Sequence, residues 1–159
     1  MKTFKDNAGR TWPVTVDVSA VKRVRSLLDV NLLDVLDGRL IERLAGDPVL
    51  LCDVIYALVK PEADAKGVSD EDFGRAMAGD AIEHATTALL EELADFFPQG
   101  KRRLLQKALS KLKTWEEKAV AAAEKKLESP ELEAEMDAAL ESAGLTFGGS
   151  SGSSQGSSE

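Results

Sequence analysis

His84 is the only histidine in the chain and Cys52 the only cysteine. Nucleophilic catalysis needs a nucleophile, a base within hydrogen-bond reach and a third group that orients the base. His84 carries no local signature of such a set and reads as a surface or boundary residue. Zinc takes three or four nitrogen or sulfur ligands, which one His and one Cys in separate helices do not supply. Cys52 sits in an apolar run and reads as a small core residue. A lone cysteine also excludes an internal disulfide. Asp70-Glu71-Asp72 gathers three carboxylates, but an EF-hand spaces its ligands over about twelve residues and closes on a Glu. Acids in the first turn of a helix are better read as partners of its dipole. Glu91 and Glu92 are adjacent carboxylates that nothing in the sequence sets in a cleft. Neither a G-x-G-x-x-G nor a Walker-type loop occurs. No catalytic, cofactor-binding or metal-ligating residue is assigned, and the expectation is a protein that is not an enzyme.

Nucleic-acid binding is the other chemistry to weigh. The formal net charge of −8 opposes general affinity for phosphate. Residues 19–45 offer two short helices with a break between them, the outline of a helix-turn-helix. Lys22, Arg23 and Arg25 lie on the first helix. The second, which would enter the groove, carries Asp34, Asp37 and Glu42 against Arg39 and Arg43.

Elements that would position any site follow from pattern and punctuation. Thr3-Phe4-Lys5, the turn Asp6-Asn7-Ala8-Gly9 and the alternating run Arg10 to Val16 predict a β-hairpin over residues 1–17. A lone hairpin is marginal in water, so it must lean on helices through Phe4 and Trp12. Ser19 is expected to cap a helix running to Leu28. Leu32 to Leu44 should be helical with a break near Gly38. Asp47 and Pro48 start the most apolar helix, Val49 to Val59, with Lys60-Pro61 to Gly67 expected as a loop. Ser69 with Asp72 resembles a capping box, and Gly79 separates that helix from one ending at Phe97. Lys101 to Glu128 predicts one long helix. Ser129-Pro130 restarts a short acidic helix within 129–147, with Gly144 at its C-terminal cap. Residues 148–159, GGSSGSSQGSSE, form a low-complexity Gly/Ser tail expected to be disordered. The fold class is mainly α: a helical domain over 18–128 with a small N-terminal β-hairpin and a long C-terminal helix. The N-terminus has no apolar leader and no stretch approaches the roughly 20 apolar residues of a membrane span. The expectation is therefore a cytoplasmic protein with no membrane partner.

Charge alternates in blocks. Residues 61–98 hold two basic and ten acidic groups, and residues 99–128 hold nine basic and four acidic. The acidic block carries an apolar edge of Leu89, Leu93, Phe96 and Phe97. The basic block carries a stripe of Leu105, Leu109, Leu112 and Trp115. Both are candidate docking surfaces for another amphipathic helix. The competing reading packs the two stripes on each other as a helical hairpin linked by Pro98-Gln99-Gly100.

The run Val68-Ser69-Asp70-Glu71-Asp72-Phe73-Gly74, then Gly79-Asp80-Ala81, then Ala88-Leu89-Leu90-Glu91-Glu92-Leu93-Ala94-Asp95-Phe96-Phe97-Pro98, resembles phage and prophage tail assembly chaperones. Gly9-Arg10-Thr11-Trp12 and Asp47-Pro48-Val49-Leu50-Leu51 fit the same pattern, so the resemblance spans about residues 9–110. It implies binding and solubilising of the helical, aggregation-prone tape measure protein, and help in recruiting tail tube protein. It implies a non-enzymatic role; the residues themselves lead to the expectation of no cofactor and no nucleic-acid partner, and a homo-oligomer stays open. The runner-up readings are a helix-turn-helix DNA-associated regulator and a structural component of the tail.

Overall fold

The computed structural model describes residues 1–144. The chain divides into two compact units, Met1–Ser110 and a second beginning at Lys111. In the first unit, strands β1 (Lys2–Lys5) and β2 (Thr11–Val14) pair antiparallel, with Phe4 opposite Trp12 and Thr3 opposite Pro13. Gly9 at φ 83° lets the connecting turn close.

Helix α1 (Val18–Leu28) is capped by Asp17, whose carboxylate accepts from the Ala20 N–H at 2.7 Å. The sequence points to Ser19. The earlier start wins because it fits the buried register of Ala20, Val21 and Val24, and carboxylate caps are as strong as hydroxyl ones. A 3₁₀ turn over Leu32–Asp37 ends at Gly38 (φ 83°), and α2 (Arg39–Gly46) follows, so the expected break near Gly38 is present.

Helix α3 (Pro48–Lys66) starts as the sequence predicts, with Asp47 accepting from the Val49 and Leu50 N–H groups. It does not stop at Lys60. It runs through Pro61 to a left-handed cap at Gly67, replacing the expected loop. Proline removes the N–H that would serve the carbonyl four residues back, here that of Ala57. Arg23 on α1 supplies the substitute: its Nη1 donates to the Ala57 carbonyl at 3.0 Å and to that of Leu58 at 3.2 Å.

Short helix α4 (Asp70–Arg75) has the Ser69 hydroxyl accepting from the Asp72 N–H at 3.1 Å. Helices α5 (Asp80–Phe96) and α6 (Gln99–Leu127) are separated only by Phe97 and Pro98. Gly100 lies inside α6, where the first turn tolerates it. Helix α3 is the hub of the unit, packing on α1, α2, α5 and β2, while α5 lies chiefly on β1. The core so formed includes Trp12, Ile55, Phe73, Leu89 and Leu93, all buried.

The second unit holds the rest of α6 and helix α7 (Pro130–Ser142). The Ser129 hydroxyl caps α7 by accepting from the Leu132 N–H at 3.2 Å, and Gly144 follows its end at φ 73°. Within this unit α7 does not pack along α6. The expected Gly/Ser tail lies outside the described residues.

Candidate functional site

The most connected polar group is Asp6, whose side chain is fully buried in the hairpin turn. One carboxylate oxygen accepts from the backbone N–H groups of Ala8 and Arg10, each at 2.9 Å. The other accepts from Arg10 Nε and Trp12 Nε1, also at 2.9 Å. Burial alone would push this carboxyl up. The hydrogen bonds from Trp12 and Arg10 and the Arg10 charge outweigh it and hold the carboxyl below its ordinary value. Trp12 then meets Phe73 of α4 edge to face at 5.5 Å, and Lys66 Nζ lies 4.9 Å from the centre of the Trp12 ring. Arg10 reaches the Asp72 carbonyl at 3.3 Å, and Asn7 bonds the carbonyls of Ala76 and Ala78. Two segments about sixty residues apart in sequence, Gly9–Trp12 and Asp70–Gly74, thus share one node. Every group in it is occupied with another protein group, which makes it a structural joint.

The groups with reactive potential are dispersed. His84 is exposed on α5. Cys52 is half-buried, and its thiol is pushed up by burial and by the adjacent Asp53 carboxylate, which lowers its nucleophilicity at neutral pH. Asp53 is itself raised, by burial and then by Asp70 and Asp47. Among the described residues no group of three or more His, Cys, Asp or Glu is arranged to hold a metal. A cleft of about 190 Å³ beside Pro13, Asp17, Arg23 and Pro61 is smaller than the roughly 300 Å³ at which ligand pockets begin. Arg23, one of the three basic residues of the would-be helix-turn-helix, points its guanidinium at α3 carbonyls.

The candidate docking residues separate by position. Leu89, Leu93, Phe97 and Leu105 are buried in the core of the first unit. Phe96 and Leu109 are half-buried against that core, and Phe96 meets Phe97 edge to face at 5.3 Å. In this arrangement the α5 edge offers its apolar atoms to the hairpin. Two of its five acids turn the same way: Glu91 pairs with Lys2 at 3.3 Å, and the buried Glu92 with the Met1 amino group at 3.2 Å. Within the first unit no ion pair joins α5 to α6 among the described residues. A polar tie is Arg102 Nη2 donating to the Asp95 carbonyl at 3.0 Å, a cation on the negative end of α5. Glu91 and Glu92 thus pair with the N-terminal residues Lys2 and Met1, while Leu105 and Leu109 of the α6 stripe join the core that holds Leu89 and Leu93.

Leu112 and Trp115 are different. They belong to the second unit and are 48% and 75% exposed. Val120 and Leu127 on the same helix are 53% and 66% exposed, and Leu104 in the first unit is also exposed. These three are absent from the sequence-derived set. The helical period puts Val120 and Leu127, seven apart, on one side of α6 and Trp115 and Ala122, also seven apart, on another. Alongside the Trp115 side runs a basic row of Lys111, Lys118 and Lys125, all exposed. Exposed apolar side chains beside a basic row offer a face that another amphipathic helix can cover. Among the described residues no helix is long and apolar enough to cross a membrane. No protein-family model, curated protein or solved structure matches this chain.

Proposed function

We propose that this chain is a phage tail assembly chaperone. It binds and solubilises the tape measure protein, helps recruit tail tube subunits, and acts in the cytoplasm of the bacterial host without catalysis or a cofactor. The observation that carries the reading is the bare apolar side of α6, led by Trp115 at 75% exposure. A rigid aromatic on a solvated helix is an anchor for another amphipathic helix. The resemblance over residues 9–110 supports the same reading: its separated motifs Gly9–Trp12 and Asp70–Gly74 meet in one node, as a shared scaffold requires. Catalysis draws no comparable support, since His84, Cys52 and the acidic groups do not converge.

Co-expression with a phage tape measure protein, the long helical client that the reading names, tests the proposal. The soluble fraction of the client should rise several-fold with this chain, and Trp115→Glu should reduce the gain. A client no more soluble with the chain than without it overturns the reading.

A further inference from the structure

The second unit contains two amphipathic surfaces that match each other yet do not meet. Helix α6 beyond Ser110 presents Leu112, Trp115, Ala119 and Ala122 at helical spacing, flanked by Lys111, Lys118 and Lys125 at intervals of seven. Helix α7 presents Leu132, Met136 and Ala139, spaced four and three, flanked by Glu133 and Glu135. It holds five acidic residues and no basic one. Met136 is 55% exposed. The lysine rim of the α6 stripe and the glutamate rims of α7 are therefore of opposite sign, and the other rim of α6 carries Glu116.

Within one chain these surfaces stay apart. Only Glu128 and Ser129 connect the helices, and Ser129 is tied to both. Its N–H and its hydroxyl donate to the Lys126 carbonyl at 3.1 and 2.7 Å, while the same hydroxyl accepts from Leu132 N–H. In the structure α7 does not lie along its own α6. A second copy reaches α6 without passing through that junction, and around a two-fold axis the same match forms twice. We propose that two copies of this chain associate reciprocally, α7 of each lying on the Leu112–Ala122 face of α6 of the other. Trp115 is the central anchor, and the lysine and glutamate rims fix register. The inference stands without the chaperone reading but claims the same face: a client helix reaches Trp115 only by displacing α7 of the second copy, so client and dimer compete.

The test is sedimentation of the full chain over a micromolar concentration series, with tryptophan emission recorded in parallel. The expected result is a species of twice the 17.1 kDa chain mass, weakened at 1 M salt, where screening acts within about 3 Å. Emission should shift to the blue as the dimer forms. Two charge-reversed chains make the test specific. One carries Lys111→Glu, Lys118→Glu and Lys125→Glu; the other carries Glu133→Lys and Glu135→Lys. Each alone should associate at least tenfold more weakly, and a mixture should restore a heterodimer, because acidic α7 meets basic α6 at one contact and the reversed, basic α7 meets the reversed, acidic α6 at the other. All five positions are exposed, so circular dichroism should be unchanged. A chain that sediments as one copy throughout overturns the proposal, whether or not its emission is blue-shifted. So does a dimer that persists in either reversed chain alone, which would place the contact elsewhere.

Discussion

Arg23 is predicted to hold α3 together across Pro61, and replacing it with Met should expose that dependence. The Ala57 carbonyl cannot receive the usual helical N–H, because residue 61 has none. It instead accepts from Arg23 at 3.0 Å, with Leu58 sharing the same nitrogen at 3.2 Å. A hydrogen bond from a charged donor contributes about 1.5–3 kcal/mol, and an orphaned buried carbonyl costs about 1–3 kcal/mol. Arg23 is half-buried, so water can replace part of what is lost, and a loss of about 1.5 kcal/mol is expected. Pro61→Ala restores the N–H. In that background Arg23→Met should cost at least about 1 kcal/mol less, a coupling above the few tenths typical of independent sites. Urea unfolding followed by circular dichroism on all four chains measures this, provided the denaturant slope stays constant. Equal costs of Arg23→Met in the two backgrounds would refute the account.

Asp6→Asn should destabilise the first unit by about 3 kcal/mol, since it removes a buried carboxylate from two cationic or polar donors and two backbone N–H groups. Because the Asp6 carboxyl is held below its ordinary value, its stabilisation is complete above the ordinary carboxylate range. It is lost as the pH falls through the lowered value. Acid titrations of stability should therefore show a drop in the parent that the Asn variant lacks. Leu93→Ala should cost about 2–5 kcal/mol as a core truncation, whereas Trp115→Ala in the monomeric chain at low concentration should stay within about 0.5 kcal/mol. Thermal melts distinguish the two, and similar losses would mean that Trp115 is not on the surface.

Legibility in the sequence followed the range of the interaction. Asp47-Pro48, Ser69 with Asp72, and the Asp6–Gly9 turn are closed by atoms two to four residues away, so residue types suffice to place them. The end of α3 was misread because its remedy, Arg23, lies thirty-eight residues upstream of Pro61, and proline rules know only neighbours. Ser19 and Asp17 are both cap formers. What selects Asp17 is which rotation of α1 buries Ala20 and Val24, a tertiary matter. The same holds for Leu89 and Leu93: helical spacing predicts an apolar stripe but not its occupant, and β1 claims it from the far end of the chain. The exposed side of α6 was half-legible, through Leu112 and Trp115, because periodicity marks a stripe whether or not anything covers it.

The hairpin, although made first, closes last. Its inward residues Phe4, Trp12 and Val14 find their partners on α3, α4 and α5, so most of its stabilising surface does not exist until α5 has been synthesised. Two short strands are marginal alone, and contacts spanning some eighty residues carry a loop-closure cost that must be met before they stabilise anything. During translation the opening segment remains a solvated ribbon carrying Phe4 and Trp12, and docking of that ribbon onto finished helices completes the first unit. Slowing synthesis before residue 110 should prolong that exposed interval, while a slow stretch after it should leave folding of the unit unaffected.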